Sequence, residues 1–211
     1  MAGDHALFGP RPGETIALLR GLPYPAIYGN TDRYILDDTE QSLIRWTRKD
    51  IGESGLEWIE ALPFEHRVPA RNPPDEDLLI VHATPTDVEG VLITELDEFG
   101  SFELTPEAKA RELVGDARAG LMVYGHIHYA SAGRIGDLRV ASVGSVGMPS
   151  DGDPRAAYGV VHWDGQTWQL EHRRVSYDHE SVAGEILGSE TPFADVRAER
   201  IRRARFVPLG S

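Results

Sequence analysis

Leu121-Met122-Val123-Tyr124-Gly125-His126-Ile127-His128 is the stretch that decides the fold. Four consecutive apolar residues are typical of a strand buried on both faces, and Gly125 ends that strand. In extended backbone, side chains two positions apart face the same side, so His126 and His128 point together. Two unrelated loop histidines would have the same spacing, but the preceding strand and glycine favour a metal-binding pair. The stretch therefore predicts a buried strand that carries two imidazoles to one edge of a sheet.

Two other apolar segments end in the same way. Ala26-Ile27-Tyr28 is followed by Gly29-Asn30-Thr31-Asp32, and Leu78-Leu79-Ile80-Val81 is followed by His82. Ligands of open α/β sheets bind at the carboxyl ends of the strands, so parallel neighbours would bring these polar groups to one rim. Each residue alone is a weak signal, since a histidine after a strand is usually a core group and Gly-Asn is an ordinary turn. Their shared placement predicts a metal site.

The remaining chain alternates predicted helices and strands. Short alternating strands are expected between Ser131 and Arg174, with turns at Gly136-Asp137 and Asp164-Gly165, which predicts a second, antiparallel sheet. Predicted helices cover 12–22, 37–49, 53–62, 105–113, 180–187 and 194–205. The last helix carries five arginines, interpreted as a solvated face: Arg197, Arg200, Arg202, Arg203 and Arg205. We expect an α/β protein in which residues 1–211 form one domain.

Composition narrows the possible ligands and partners. The net charge of −13 disfavours non-specific binding to nucleic acid or anionic lipid, and it repels phosphorylated molecules unless bound cations neutralise part of it. Without cysteine, a metal must be held by His, Asp, Glu or Asn. There is neither a signal-like start nor an apolar run long enough to span a membrane, so a cytoplasmic protein is expected. The oligomeric state is open.

The polar motifs together resemble those of the calcineurin-like metallophosphoesterases. Gly3-Asp4, Gly29-Asn30-Thr31-Asp32, His82 and Gly125-His126-Ile127-His128 occur in that family's order and spacing. The segment 144–155 is similar to the one that follows the last histidine motif in the small bacterial and archaeal phosphodiesterase branch. The resemblance implies two packed β-sheets flanked by helices, a four-layer αββα sandwich.

The same resemblance implies an activity. It is hydrolysis of a phosphate ester, of the phosphodiester type, by a hydroxide shared between two divalent metal ions. Manganese is the first expectation for the metal, with iron, zinc or nickel as alternatives. The implied substrate is a phosphorylated small molecule or a phosphodiester.

The resemblance also assigns residues. Asp4 matches the carboxylate that bridges both metals, and the remaining ligands of one metal match Asn30, His82 and His126. His128 matches a ligand of the other metal. Asn30 and His126 are in addition the expected catalytic residues. Arg33 is interpreted equally as a contact to substrate phosphate or as one half of an ion pair.

Two departures from the family pattern matter. The family begins with a strand ending in Asp-x-His, which this chain lacks; we expect that a preceding strand is missing, because losing it would expose backbone groups in a buried sheet. Thr31 stands where many members have a histidine that donates a proton, and Thr is no general acid near neutral pH. His5 is a possible substitute, although a surface histidine beside a loop is the more ordinary interpretation.

Two other functions remain open at this stage. A chain without the first motif is also compatible with a non-catalytic scaffold or regulatory protein that kept the fold. A single-metal hydrolase of other substrates, such as amides, is weaker, since the sequence has no His-Glu-x-x-His and no nucleophile elbow.

Overall fold

A computed structural model describes residues 1–37, 39–92, 94–96 and 102–208. Its helices, in chain order, are α1 (Pro12–Arg20), α2 (Asn30–Leu36), α3 (Ser42–Glu60), α4 (Glu107–Val114), α5 (His179–Gly188) and α6 (Ala194–Arg203). Its strands are β1 (His66–Val68), β2 (Leu78–Ile80), β3 (Thr94–Leu96), β4 (Phe102–Leu104), β5 (Leu121–Tyr124), β6 (Ala130–Ile135), β7 (Leu138–Val143), β8 (Ala156–Trp163) and β9 (Trp168–Val175).

A five-stranded mixed sheet in the order β1-β2-β5-β7-β6 organises the molecule. Strands β2, β5 and β7 run parallel, while β1 and β6 pair antiparallel at the two edges. The β3-β4 and β8-β9 hairpins form separate two-stranded sheets. The prediction that the strands between Ser131 and Arg174 form one second sheet was therefore wrong in part. Strands β6 and β7 join the main sheet, whereas β8 and β9 form a sheet of their own.

The alternation of side chains along β5 shows how the main sheet is buried on both faces. Leu121 and Val123 pack on one side with Trp168 of the β8-β9 hairpin. Met122 and Tyr124 point to the other side, where they pack with residues of α4 such as Val114. An α/β protein with two sheets flanked by helices was expected, and the structure confirms it. Burial on both faces explains why these strands carry uninterrupted apolar runs.

The amino-terminal segment lies beside a second apolar stretch. Ala2 and Ile27 form an isolated parallel β-bridge, and the Ile27 amide donates to the Met1 carbonyl at 3.1 Å. The strand predicted at Ala26-Ile27-Tyr28 is thus reduced to this bridge. This segment still leads directly into Gly29 and the start of α2, so its role in placing the motif Gly29-Asn30-Thr31-Asp32 is unchanged.

Most predicted helices are present, and the differences have local causes. The helices predicted at 37–49 and 53–62 form one element, α3, which is kinked at Gly52 with a φ of 70°. Asp37 is extended and ends α2, so α3 begins only at Ser42. No helix within the described residues is both long and apolar enough to cross a bilayer.

The arginines of α6 do not all face solvent, which corrects the expectation of a solvated face. Arg197 is 0% exposed, and its guanidinium donates to the carbonyl oxygens of Phe8, Gly9 and Pro192 at 2.8–3.2 Å. Burial lowers the pKa of Arg197 to about 10, so it stays charged at neutral pH. Arg200 is also buried, and its guanidinium lies over the Phe8 ring. These residues join α6 to the loop that follows Asp4.

Replacing Arg197 tests this connection. Arg197→Met keeps an apolar stem but leaves the buried carbonyl groups without a donor, so the free energy of unfolding should fall by about 1–3 kcal/mol. Denaturant unfolding measures it. Arg203→Met is the matched control: its exposed side chain forms a surface ion pair with Glu199, and its loss should cost no more than about 0.5 kcal/mol. Equal effects of the two changes would contradict the assignment.

Candidate metal centre

Four polar side chains meet at the carboxyl ends of the parallel strands. His82 follows β2 and His126 follows β5, and the pairing of these strands continues as the Gly125 amide donates to the His82 carbonyl at 2.9 Å. Asn30 is the first residue of α2, a helix that the sequence did not predict. Asp4 completes the group, and the ligand atoms of Asp4, His82 and His126 all lie within 4.8 Å of one another.

The distances between the four side chains suit a single cation. His82 Nε2 lies 3.0 Å from Asn30 Oδ1 and 3.4 Å from Asp4 Oδ1. His126 Nδ1 lies 3.3 Å from the same Asn30 oxygen. Two ligands about 2.1 Å from one ion, at tetrahedral or octahedral angles, are about 3.0–3.4 Å apart. Oxygen and imidazole donors without thiolate fit a borderline or hard divalent metal.

Backbone carbonyl groups leave one nitrogen of each histidine free to bind metal. His82 Nδ1 lies 2.7 Å from the Ala2 oxygen, and His126 Nε2 lies 3.1 Å from the Glu89 oxygen. A carbonyl oxygen can only accept, so these nitrogens carry the protons. The electron pairs of His82 Nε2 and His126 Nδ1 are then directed at Asn30 and at the shared centre, as in metal sites whose ligands are oriented by outer hydrogen bonds.

His128 is placed differently from His126. It lines the same cavity, and its Nδ1 lies 2.9 Å from the Met148 oxygen, which leaves Nε2 as its free nitrogen. It does not join the group formed by Asp4, His82 and His126. The structure therefore separates the two histidines, and the assignment of His126 and His128 to different metals stays a prediction.

The backbone at the two histidines differs from the expected extended form. His126 has a φ of 59°, His128 a φ of 56° and Asp4 a φ of 60°. Positive φ is uncommon outside glycine and costs on the order of 1 kcal/mol for each residue. These three ligand candidates are among only five such residues in the described parts of the chain. Such strain is maintained where surrounding contacts dictate the geometry, and it clusters at functional sites.

Electrostatics prepares the group for a cation. Burial opposes ionisation of Asp4, but the hydrogen bond and charge of His82 outweigh it and hold the pKa of Asp4 well below its usual range. Burial also works against protonation of His82, yet Asp4 raises the pKa of His82 above 6.5. Burial lowers the pKa of His126 to about 4, so this imidazole is neutral at pH 7. A bound cation would replace the His82 proton as the positive charge beside Asp4.

Asp32 organises the backbone around Asp4, a role that was not predicted from the sequence motifs. Its carboxylate is fully buried and accepts from the amides of Asp4 at 2.8 Å, His5 at 3.0 Å and Gly29 at 2.8 Å. Asp32 is the third residue of α2, where a carboxylate commonly accepts from the amide preceding the helix. That spacing, Gly-Asn-x-Asp, was the available sequence signal.

Close packing at Gly29 lets Asp4 reach the centre. A Cβ atom added at Gly29 would lie 2.2 Å from Asp4 Oδ1 and 2.7 Å from the Asp4 amide nitrogen. The same atom would come within 2.6 Å of His82. Any side chain here would push the ligands apart, which explains the glycine before Asn30.

The other residues named from the sequence have distinct positions. Thr31 is buried, and its amide donates to Asp4 Oδ1 at 3.0 Å. The His5 side chain is only 4% exposed, so it is not a surface group, and its Nε2 lies 3.0 Å from the Ile27 carbonyl oxygen. Arg33 is exposed and lies over the Tyr28 ring, 5.1 Å from the centroid. It does not line the cavity beside the site, so its phosphate contact stays a prediction.

A cavity of about 700 Å³ opens beside the cluster, and its lining includes Asp4, His82, His126 and His128. Apolar residues such as Phe8 and Met148 supply much of the remaining wall. Its size is in the range of small-molecule sites. A few convergent polar groups in a largely apolar wall are typical of a site that binds and orients a ligand.

Sequence and structure comparisons identify the class of protein. Residues 1–166 match the model of the calcineurin-like phosphoesterase superfamily domain. The chain therefore belongs to the calcineurin-like phosphoesterase superfamily, and the family implies divalent metal ions and a phosphate ester substrate.

Solved structures agree on the fold. A metallophosphoesterase from Sphaerobacter thermophilus superposes with a TM-score of 0.76 at 21% identity, over 96% of this chain and 86% of that one. A hypothetical protein from Pyrococcus horikoshii OT3 gives a TM-score of 0.69 at 18% identity, over 96% of this chain and 82% of its own. No curated protein shows significant similarity to this chain.

The packing at Gly29 leads to a direct test. Gly29→Ala should weaken metal binding by at least about 10-fold, because the methyl group displaces Asp4 and His82 from the centre. Isothermal titration calorimetry with Mn²⁺ measures the affinity. Gly184→Ala is the matched control, since a Cβ there meets nothing within 4 Å, and it should bind as the unchanged protein does. Wild-type affinity in Gly29→Ala would contradict the packing argument.

The histidine pKa shifts predict how metal binding depends on pH. The raised pKa of His82 means that its proton is displaced when metal binds, whereas His126 is already neutral above about pH 4. The apparent affinity should therefore rise with pH and level off only above 6.5, the ordinary value for His82. Titrations in buffers of different ionisation enthalpy report the proton release. A constant affinity from pH 8 to pH 6 would exclude it.

Proposed function

We propose that this protein is a metal-dependent phosphodiesterase that uses two divalent ions, with manganese as the preferred metal. The observation that carries the proposal is the convergence of Asp4, Asn30, His82 and His126 on one point. Family membership supports phosphate ester hydrolysis, while the choice of a diester, of manganese and of two ions belongs to the proposal. A cytoplasmic location stays a prediction from the sequence.

The residues of the cluster offer different kinds of ligand atom to a metal. Asp4 supplies an ionised oxygen, Asn30 a neutral oxygen, and His82 and His126 supply nitrogens. In this proposal Asp4 would also help to hold a second ion, for which His128 would offer Nε2 from the same cavity wall. Divalent ions held there would neutralise phosphoryl oxygens and lower the pKa of water. The acidic protein would thereby accept an anionic substrate in spite of its net charge of −13.

The protein itself contributes orientation and exclusion of water. Asn30 and His126 would hold the ion at the carboxyl end of the parallel strands, and the adjoining cavity would receive the substrate phosphate. Phe8, Met148 and other apolar residues of the cavity wall provide contacts for the remainder of the substrate. An apolar wall also strengthens electrostatic attraction at the reacting phosphate.

A second candidate function is metal binding without turnover, in a scaffold or regulatory protein. The observation that favours it is the position of His128 outside the group of Asp4, His82 and His126 among the described residues. The two candidates differ in the number of metals bound and in turnover. Calorimetric stoichiometry and hydrolysis therefore distinguish them.

An activity measurement tests the main proposal. The protein should hydrolyse bis(p-nitrophenyl) phosphate after Mn²⁺ is added, and His126→Ala should lower the rate by more than about 100-fold, because losing a ligand should exceed the effect of losing an outer contact. Release of p-nitrophenolate measures the rate. The control is His162→Ala, since His162 lies in the β8-β9 hairpin outside the cavity lining. Metal binding with one ion and no turnover would favour the scaffold.

A further inference from the structure

The side-chain amide of Asn30 has two ends that are chemically opposite. Its Oδ1 lies 3.0 Å from His82 Nε2 and 3.3 Å from His126 Nδ1, on the side where the metal ligands meet. Its Nδ2 lies on the other side and donates to Tyr34 Oη at 3.3 Å. A rotation of 180° about the last bond would replace the oxygen by two N–H donors. Such donors would repel a cation, so the orientation of this amide decides whether Asn30 is a ligand.

Tyr34 and Glu89 set the direction of that hydrogen bond. The Tyr34 hydroxyl group donates its only proton to Glu89 Oε1 through a short contact. An ionised carboxylate can only accept, so the tyrosine oxygen is left as an acceptor for Asn30 Nδ2. The chain of hydrogen bonds thus runs in one direction, from the amide to the hydroxyl to the carboxylate. A charged end makes this chain stronger than one between neutral groups.

The same loop orients a second ligand. The backbone carbonyl of Glu89 lies 3.1 Å from His126 Nε2, which leaves His126 Nδ1 facing Asn30 Oδ1. Asp87 holds the loop, because its Oδ1 accepts from the amides of Glu89 and Gly90 at 2.7 Å each. Side-chain and backbone groups of Glu89 therefore act on two of the four residues of the cluster.

We propose that Tyr34 and Glu89 are positioning residues of the metal centre, which keep the oxygen of Asn30 directed at the cation. The proposal rests on the metal-dependent function proposed above, and it deepens it by naming residues outside the ligand set. Neither residue is among the ligand candidates Asp4, Asn30, His82, His126 and His128. Tyr34 lies four positions after Asn30 on α2, the spacing at which side chains of a helix are neighbours.

Tyr34→Phe is the first test, because it keeps the ring but removes the acceptor for Asn30 Nδ2, together with the donor to Glu89 Oε1. The affinity for Mn²⁺, measured by calorimetry, should fall by about 10-fold, the lower end of what outer contacts of metal ligands contribute. Tyr24→Phe is the matched control: it removes the hydroxyl group of an exposed tyrosine that does not line the cavity, and the affinity should change by no more than about 2-fold. Equal affinity of Tyr34→Phe and the unchanged protein would overturn the proposal.

A double-mutant cycle separates orientation from a general effect on folding. Asp at position 30 has two equivalent oxygens, so its orientation needs no partner. In the Asn30→Asp background, Tyr34→Phe should therefore change the Mn²⁺ affinity by less than about 2-fold, against about 10-fold with Asn30 present. A loss of the same size in both backgrounds would mean that Tyr34 only supports the structure, and would overturn the proposal.

Kinetics adds a readout that a direct catalytic role would change. At saturating Mn²⁺ the kcat of Tyr34→Phe should return to within about 2-fold of the unchanged protein, since the metal concentration compensates for weaker binding. A low kcat at saturating metal with unchanged affinity would place Tyr34 in the chemistry and contradict a positioning role. The affinity measurements need no substrate, so they stand even where hydrolysis of a diester is absent. Absence of metal binding by the unchanged protein would overturn both proposals.

Discussion

The ionised carboxylate of Asp4, largely buried beside the electron pairs of His82 and Asn30, is the constraint on which the rest of the site depends. Its oxygen faces His82 Nε2 at 3.4 Å, and that nitrogen also faces the Asn30 oxygen at 3.0 Å. Acceptors so close together in a buried place repel one another unless a proton or a cation lies between them. Without metal, a proton on His82 relieves this repulsion, which is why the pKa of His82 is raised. With metal, a divalent ion would relieve it instead. The surrounding structure serves to prevent these groups from moving apart.

The fold keeps these groups together through short connections at one edge of the sheet. His82 and His126 follow directly after neighbouring parallel strands, so their separation is determined by backbone hydrogen bonds. Asp4 does not follow a strand of this sheet. Its position depends instead on the buried carboxylate of Asp32 and on the absence of a Cβ atom at Gly29. Arg197 then joins the segment after Asp4 to α6 through the carbonyl groups of Phe8 and Gly9. Local strain at Asp4 and at both histidines shows that these constraints exceed the preference of the backbone.

Much of this arrangement could be predicted from sequence because it depends on patterns along the chain. Uninterrupted apolar runs predicted strands β2 and β5, and two of the four converging side chains, His82 and His126, follow those runs. Three features escaped prediction for physical reasons. Helix α2 is too short for periodicity to reveal it, so Asn30 was read as part of a loop. Burial of Arg197 depends on contacts with a loop almost two hundred residues away. The contact between Tyr34 and Glu89 joins α2 to a loop 55 residues further along the chain, which no local pattern records.

The carbonyl groups that fix the histidine protons have a consequence for the way this site tolerates change over evolutionary time. The acceptors come from the backbone of Ala2, Glu89 and Met148, and a substitution at any of these positions leaves the carbonyl group in place. The protonation pattern of the imidazoles is therefore insensitive to sequence drift at the residues that maintain it. The orientation of the Asn30 amide has no such protection, because its partner is the side chain of Tyr34. Relatives that lose the tyrosine are expected to carry a carboxylate, or another acceptor, to keep the oxygen facing the metal.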